Sequence, residues 1–190
     1  MSRFTLKTVG WRPRLDPVKA ETATPAQLAA LDACPPAQRR STYFLTLAHD
    51  PGSLGERGAL FNIVMYAEGG LPRADRELST AVVSMVNGCV FCTSVHAKRF
   101  VELTGDEPAM QRILDEGWAE EPDARRHAIA AFTEALTRSP GAVAAEDIAK
   151  LRAAGLDELE ILDLVHSVAM FANANRLMLT LGDPLLPKVM

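Results

Sequence analysis

The sequence predicts an all-α helical bundle. Apolar side chains recur every three or four residues in several stretches, such as 54–67, and this spacing is that of an amphipathic helix. Capping signatures at 24–27 and at Asp157 with Glu160 mark the starts of helices. The only strand-like pair in the apolar core, Val82-Val83, lies inside a helical pattern. We therefore expect a chain that is almost entirely helical.

Proline, glycine and capping residues define the first elements. Pro13 and Pro17 favour an extended arm over the first ~20 residues. Pro25 at a first helical position and Gln27 in a capping box begin a short helix. Asp50-Pro51-Gly52 is interpreted as the stop after the second helix. These signals predict helices over 25–33, 41–48 and 54–67.

Breaks at Asn87-Gly88 and Gly105 divide the rest of the chain. Pro72 opens a helix that continues to the first break, and a new helix begins at about Cys89. The predicted helices cover 72–87, 89–103, 108–117, 123–138, 144–154 and 158–181. We expect residues 1–53 to form an arm and short helices that pack on a core of residues 54–190, within one compact domain.

Length, composition and charge narrow the class of protein. The chain has 190 residues, of which 48% are apolar and 23% charged, and this is ordinary for a soluble globular protein. Its net charge of −4 gives no reason to expect nucleic acid or an anionic membrane as a partner. No apolar run approaches the ~18–20 residues of a membrane span, and the N-terminal residues lack a secretory signal. We therefore expect a cytoplasmic protein, in which a disulfide is more often catalytic or redox-sensing than structural.

The stretch from Glu77 to His96 concentrates the reactive groups. It holds a CxxC pair, Cys89 and Cys92, with His96 four residues after the second cysteine and Glu77 twelve residues before the first. At about 100° per residue on a helix that starts near Cys89, both cysteines and His96 fall within an arc of about 60°. One helix face therefore presents two thiols and an imidazole.

The helix break before Cys89 bears on the acidity of that cysteine. A helix N-terminus offers unpaired N–H groups and a favourable dipole, which stabilise a thiolate relative to a thiol. His96 lies one turn after Cys92 and can share or remove a proton. If the two helices pack side by side, Glu77 can reach His96 and fix its tautomer and charge. This contact is a hypothesis, because spacing alone does not establish a tertiary contact.

Other interpretations of these residues remain. A CxxC can be half of a zinc site, but such sites usually need a second CxxC or an HxxxH partner. The further candidates here are the scattered His49, His127 and His166. Taken singly, Glu77 could be a dipole-favoured acid in an early helical turn and His96 a packed or solvated histidine. Their occurrence together favours redox chemistry.

Several polar residues lie outside this stretch. Cys34 has no obvious partner and is expected at a helix end or in a loop beside Pro35-Pro36. Arg125-Arg126 is interpreted as a solvated pair in a first helical turn. Four residues of the long C-terminal helix could border the active pocket or a neighbouring subunit, or could satisfy helix ends or face solvent. They are His166, Asn173, Asn175 and Arg176.

The pattern Glu-x11-Cys-x2-Cys-x3-His resembles the signature of the alkyl hydroperoxidase D (AhpD) and carboxymuconolactone decarboxylase family, and in particular its branch of peroxidase-related enzymes. The core of the likeness runs from about Leu60 to Gly105. The later stretch also resembles that branch, with LRAAG at 151–155 and EILDLVHSVAMFANANRL at 160–177. The pattern is specific because it fixes four residues and a helix break. The resemblance implies an AhpD-like helical bundle.

The resemblance also implies a role for each site residue. Cys92 would be the peroxidatic thiol, which attacks the peroxide O–O bond and becomes a sulfenic acid. Cys89 would resolve it by forming the Cys89–Cys92 disulfide. His96, supported by Glu77, would activate the thiol through an ordered water. An external dithiol would reduce the disulfide, with no metal or other cofactor, since the chain carries no flavin, haem or nicotinamide fingerprint.

This chain differs from the family pattern at one position, and the resemblance disagrees with the helix-end argument on which cysteine is the nucleophile. The family's name-giving enzyme has a histidine immediately before the second cysteine, where this chain has Phe91. The difference removes a polar group beside the site. The resemblance therefore does not imply the same peroxidase rate or the same lipoyl-type reductant. The helix-end argument favours Cys89 as the more acidic thiol, whereas the resemblance makes Cys92 the nucleophile.

Together these features predict a thiol-dependent peroxidase that reduces hydrogen peroxide or organic hydroperoxides through a dithiol/disulfide cycle. A homo-oligomer is expected by resemblance, and because several short amphipathic helices need partners to bury their faces. Three alternatives remain: a dithiol oxidoreductase that acts on a protein disulfide, a non-enzymatic redox sensor or binding module, and a lactone decarboxylase-like enzyme. The last has no evident use for a CxxC.

Overall fold

Helices dominate the computed structural model, which describes residues 4–36 and 38–186, and the expected all-α architecture is confirmed. Within those ranges, no helix combines the length and hydropathy that crossing a bilayer requires. The elements in chain order are β1 (Gly10–Pro13), α1 (Pro25–Asp32), α2 (Thr42–Leu47), α3 (Pro51–Tyr66), α4 (Arg73–Asn87), α5 (Val90–Thr104), α6 (Glu107–Glu116), α7 (Ala124–Arg138), α8 (Ala145–Ala153), α9 (Glu158–Leu181) and β2 (Gly182–Leu185).

A central pair of helices, α4 and α5, positions the cysteines. α4 is buried continuously from Arg76 to Ser84 and packs against α5, α7 and α9. Fully buried Leu78 and Val82 belong to this core, and each such side chain contributes roughly 1.5–3 kcal/mol to stability. Gly88 ends α4 with φ at 77°, in the left-handed region that glycine adopts without strain. The chain therefore turns directly from α4 into α5.

A second apolar cluster covers the cysteine end of this helix pair. It includes Trp11, Tyr43 and Leu54 from the N-terminal elements, together with Cys89 and Cys92. Apolar side chains from three separate segments thus shield the two thiols from bulk water.

The N-terminal arm contains a strand that the sequence analysis did not predict. β1 pairs antiparallel with β2, with Gly10 opposite Leu185 and Pro13 opposite Gly182. The Trp11 indole N–H donates to the carbonyl oxygen of Met178, 167 residues along the chain, at 3.1 Å. Local periodicity carries no signal for a two-stranded pairing between the two ends of a chain.

α3 begins at Pro51 rather than at 54 as predicted. Asp50 caps it by accepting a hydrogen bond from the Ser53 N–H at 3.1 Å, and Pro51 occupies the first helical position. α2 ends at Leu47, before Asp50-Pro51-Gly52 as predicted, and these three residues also begin α3.

The arginine pair at the start of α7 is not solvated as predicted. Arg125 donates to Asp75 at 2.9 Å and to Glu160 at 2.6 Å, and so joins α7 to α4 and α9. Arg126 donates to the Asp106 carboxylate at 2.6 Å. Tertiary contacts bring these acids together, and the sequence around the arginines does not show them.

Candidate active site

The two cysteines of the CxxC pair lie at the start of α5. Cys89 occupies the N-cap position directly after Gly88, and Cys92 lies in the first helical turn. Both are free thiols and are 1% and 5% exposed, respectively. The Cys89 N–H donates to the Ser84 carbonyl oxygen at 2.8 Å, which holds the start of α5 against the end of α4. The expected helix start at the first cysteine is thus present.

The surroundings of the two thiols favour a negative charge on Cys89. A hydrogen bond from the Cys92 thiol is the largest influence on Cys89, and it lowers the pKa of that residue against the effect of burial. The N–H groups of Cys92 and Phe91 and the Asn175 amide lower this pKa further. The same thiol pair and complete burial raise the pKa of Cys92 well above its usual value. When the pair ionises, the charge therefore settles on Cys89.

Asn175 connects the dithiol to the long helix α9. It is fully buried, and its amide N–H donates to the Ser84 hydroxyl oxygen at 3.1 Å. Its carbonyl oxygen accepts from the Asn87 amide at 3.0 Å. The Asn175 amide also stabilises the ionised forms of Cys89 and Cys92. Of the two interpretations left open for this residue, the structure supports the one that places it at the pocket.

The hypothesised contact between Glu77 and His96 is present and direct. A Glu77 carboxylate oxygen lies 2.5 Å from His96 Nδ1, and both side chains are buried. The other carboxylate oxygen accepts from Arg73 Nε at 2.8 Å. Burial alone would raise the pKa of Glu77, but His96 and Arg73 together hold it below its usual range. An ionised Glu77 can only accept hydrogen bonds, so Nδ1 of His96 carries the shared proton.

His96 shares a helix face with the dithiol without touching it. It follows Cys92 by one turn of α5, and its ring packs edge-on against Phe171 with ring centres 4.3 Å apart. Across the described part of the chain, His96 forms no hydrogen bond with either sulfur. Because Glu77 occupies Nδ1, Nε2 is the nitrogen that can exchange protons with a water or substrate beside Cys92.

Two polar side chains from the N-terminal elements also approach the dithiol, and the sequence analysis did not assign them to the site. The buried hydroxyl of Tyr43 and the buried Nη1 of Arg57 have no hydrogen-bond partner among the described residues. The Arg57 guanidinium lies 5.8 Å from the centre of the Tyr43 ring. Burial raises the pKa of Tyr43 to about 12, with opposing effects from Arg57 and the two thiols. Tyr43 therefore stays protonated and can act as a hydrogen-bond donor.

Of the other candidate residues, His166 and Asn173 line a cleft between α3 and α9, and the rest form contacts that do not include the dithiol. His49 Nε2 is 2.9 Å from the Asp16 carbonyl oxygen, and His127 borders a surface depression between α7 and α8. The buried Cys34 thiol donates to the Ala30 carbonyl oxygen at 3.3 Å, and burial raises its pKa. In residues 4–36 and 38–186, no group of three or more His, Cys, Asp and Glu side chains is arranged to hold a metal ion.

Comparison with known families and structures relates this geometry to other proteins. Residues 57–134 match the carboxymuconolactone decarboxylase family. The fold is similar to that of an uncharacterized peroxidase-related protein from Silicibacter sp. TM1040, with a TM-score of 0.77 at 22% identity, over 90% of this chain and 91% of that chain. A peroxidase-related protein with an alkylhydroperoxidase AhpD core from Ralstonia eutropha JMP134 gives a TM-score of 0.69 at 23% identity, over 80% and 86% of the two chains.

A further solved structure with the same fold belongs to an enzyme with different chemistry. The debrominase Bmp8 superposes with a TM-score of 0.72 at 16% identity, over 89% of this chain and 90% of that chain. A comparison with curated protein sequences finds no significant match. At these identities the structural matches establish the AhpD-like fold alone. The family match includes Glu77, both cysteines and His96, whereas Tyr43 and Asn175 lie outside it.

Proposed function

We propose that the protein is a thiol-dependent peroxidase, because residues 57–134 match the carboxymuconolactone decarboxylase family and the chain has an AhpD-like fold. It reduces hydrogen peroxide or organic hydroperoxides through the Cys89–Cys92 pair. The observation that carries this proposal is the pair itself: two buried free thiols, hydrogen-bonded to each other, at the start of a helix. That position supplies N–H groups and a dipole that stabilise a thiolate.

In the first step, Cys92 attacks the peroxide. Its S–H donates to the Cys89 thiolate, which takes up the proton as the Cys92 sulfur becomes the nucleophile. The sulfur forms a bond to the terminal oxygen of R–O–OH while the O–O bond breaks. Cys92 is oxidised to a sulfenic acid and the alkoxide leaves, taking up a proton to give R–OH. This route reconciles an acidic Cys89 with a nucleophilic Cys92.

In the second step, Cys89 attacks the sulfenic sulfur of Cys92. The S–S bond forms, the S–O bond breaks, and the hydroxyl leaves as water after gaining a proton. The two thiols and one hydroperoxide are thereby converted into one disulfide, one alcohol and one water. An external dithiol then restores the thiols by thiol–disulfide exchange and is itself oxidised to a disulfide.

Glu77 and Arg73 act as positioning residues for His96. The direct Glu77 contact holds the proton on Nδ1, which leaves Nε2 to exchange protons with the reacting groups through an ordered water. Since Glu77 is fully buried and paired on both oxygens, the orientation of the imidazole is fixed before substrate arrives. His96 would supply the proton that turns the leaving hydroxide into water.

We also propose a homo-oligomer. Three exposed leucine and isoleucine side chains on α3 and α9 would be covered by a second copy: Ile63, Leu159 and Leu162. Their exposed fractions lie between 52% and 65%, and burial against a second copy would remove this apolar surface from water. Light scattering coupled to size-exclusion chromatography would measure the mass in solution.

Peroxide consumption with a small dithiol as electron donor tests the peroxidase. We expect turnover by the wild type, loss of at least about 1,000-fold in Cys92→Ser, and little change in Cys34→Ser. Cys34→Ser is the matched control because it also removes one buried thiol, but one that donates to the Ala30 carbonyl oxygen rather than to the CxxC pair. A Cys92→Ser variant with wild-type turnover would refute the assignment. A wild type that forms the disulfide but never turns over would favour a redox sensor or a dithiol oxidoreductase.

Reductive dehalogenation is a second candidate. It is favoured by the similarity of the fold to the debrominase Bmp8, for which a cysteine-to-alanine variant was solved in complex with 2,3,4-tribromopyrrole. Two thiols could convert an aryl bromide to the arene, with release of bromide and a proton and formation of one disulfide. Bromide release from 2,3,4-tribromopyrrole, set against peroxide consumption, separates the two functions. Bromide release without peroxide turnover would replace the peroxidase proposal.

A further inference from the structure

The cleft between α3 and α9 shares Leu54 with the apolar cluster that contains both cysteines, and it has no role in the steps given above. Its volume is about 610 Å³, within the range of roughly 300–1,000 Å³ typical of small-molecule sites. The walls are mainly apolar and include Leu54, Val64, Met170 and Leu177. The shape and lining fit the hydrocarbon part of a small organic molecule.

Arg57 connects this cleft to the cysteines. Its side chain borders the cleft, and its charge favours the ionised form of Cys92. The Nη1 atom is buried without a hydrogen-bond acceptor in the described residues, although the guanidinium lies against the Tyr43, Phe44 and Phe61 rings. A buried donor without an acceptor destabilises the folded protein. This destabilisation is relieved when a ligand supplies the missing acceptor.

Tyr43 adds a second unpaired donor on the same side of the dithiol. Its ring is held edge-on between Trp11 and Phe44, each with ring centres 5.5 Å away, so the position of the hydroxyl is fixed by packing. That hydroxyl is buried and unpartnered across the described chain, and its electrostatic neighbours are Arg57, Cys92 and Cys89. Tyr43 packs in the same apolar cluster as both cysteines, and the Arg57 guanidinium lies 5.8 Å from the centre of its ring, so two donors without acceptors lie close together on this side of the dithiol.

We propose that Arg57 and Tyr43 bind the oxygen atoms of an organic hydroperoxide whose apolar part lies in the α3–α9 cleft. This inference rests on the proposed peroxidase function, and it assigns Arg57, Tyr43 and the apolar cleft walls as the features that favour an apolar organic hydroperoxide over hydrogen peroxide. Hydrogen peroxide could use the same two donors but would leave the apolar walls in contact with water.

The two donors act on the atom at which charge develops. As the Cys92 sulfur bonds to the terminal oxygen and the O–O bond breaks, the remaining oxygen leaves as an alkoxide. Arg57 and Tyr43 stabilise that negative charge, and the alkoxide gains its proton through the Tyr43 hydroxyl, which is reprotonated from solvent. Preorganised donors of this kind are worth about 100- to 1,000-fold each in rate.

Tyr43→Phe is the sharpest variant, because it keeps the ring packing and removes a hydroxyl that no described residue binds. We expect kcat/KM for cumene hydroperoxide to fall by about 100-fold while Tm is unchanged or rises. A smaller loss in Arg57→Lys than in Arg57→Gln would show that the charge matters. Arg152→Gln is the matched control, since it removes the same charge from an exposed position on α8. Full kcat/KM in Tyr43→Phe would overturn the proposal.

Ala169→Phe tests the cleft itself. Ala169 is exposed and lines the cleft, so the added ring fills the cleft without strain in the core. We expect the ratio of kcat/KM for cumene hydroperoxide to that for hydrogen peroxide to fall roughly tenfold or more. An unchanged ratio would overturn the assignment of the cleft.

A binding measurement separates failure of this inference from failure of the peroxidase function. The alcohol product of cumene hydroperoxide, 2-phenyl-2-propanol, is titrated calorimetrically into the wild type and into Tyr43→Phe. Binding that weakens in the variant supports the ligand site even if no peroxide is turned over. Peroxide turnover with identical kcat/KM in all variants, and no binding of the alcohol, would retain the peroxidase and refute this site.

Discussion

The Arg73–Glu77–His96 cluster and the dithiol end of α5 differ in whether their buried polar groups have hydrogen-bond partners. In the cluster, both oxygens of Glu77 are paired, one with His96 and one with Arg73. At the dithiol end, the Tyr43 hydroxyl and Arg57 Nη1 have no partner in the part of the chain described. α5 joins the two regions, because the cysteines lie at its start and His96 follows Cys92 by one turn.

This difference distinguishes residues that fix the position of His96 from residues whose unpaired donors are available to bind a ligand. A buried charge with all its hydrogen bonds satisfied is stable and rigid, and it changes little when substrate arrives. Buried donors without acceptors weaken the fold until something binds them. We therefore expect substitutions in the cluster to affect stability first, and substitutions among the unpaired donors to affect turnover with little loss of stability.

Glu77→Gln should give the largest loss of stability. It leaves Arg73 and His96 without their shared anion, and breaking a buried ion pair costs about 3–5 kcal/mol. Urea denaturation followed by circular dichroism measures this change. Glu102→Gln is the control, because Glu102 forms an exposed pair with Lys98, and it should change the free energy of unfolding by less than about 1 kcal/mol. Equal effects of the two variants would contradict the distinction.

Asn175→Ala should have an intermediate effect on stability and should also change the acidity of the dithiol. It leaves the Ser84 and Asn87 side chains without their partner, at a cost of about 1–3 kcal/mol. It also removes an amide that favours a thiolate at Cys89, so the pKa of Cys89 should rise. Thiolate absorbance near 240 nm, followed against pH, measures that shift. The exposed Asn173→Ala serves as the control, and a titration curve unchanged in Asn175→Ala would contradict the role given to this amide.

The pH dependence of stability should show the smallest effect, specific to Glu77. The folded protein holds the pKa of Glu77 below its ordinary value of 4.5, so the unfolded chain takes up a proton first as pH falls. The stabilisation is fully present above pH 4.5 and is lost towards the lower folded pKa, at up to about 1.4 kcal/mol per pH unit. This slope should be absent from Glu77→Gln. A variant as acid-sensitive as the wild type would show that other carboxylates dominate.

Much of the fold follows from local patterns in the sequence. Proline, glycine and capping residues act within one helical turn, so the bounds of α4 and α5 and the turn at Gly88 could be predicted closely. The shared face of Cys89, Cys92 and His96 follows from helical spacing alone. Contact with Glu77 could be stated as a hypothesis because one short turn joins the two helices.

The missing parts of the site are tertiary. Arg73 is one turn before Glu77, so the i,i+4 rule could have indicated that pair. Tyr43 and Arg57 reach the dithiol from other helices, and no spacing relates them to it. Asn175 is one of several polar residues on α9, and the packing of that helix decides which of them is buried. The redox chemistry of the dithiol could be predicted from the sequence, but the hydrogen-bond donors around the two thiols could not.

The most direct test of the redox centre is a single-turnover oxidation of the reduced protein. One equivalent of cumene hydroperoxide is added without reductant, and the product is mapped by peptide mass spectrometry. We predict one Cys89–Cys92 disulfide per chain, a Cys92 sulfenic acid trapped by dimedone in Cys89→Ser, and Cys34 unchanged. Peroxide consumed with both cysteines still reduced, or a disulfide that includes Cys34, would contradict the proposed mechanism.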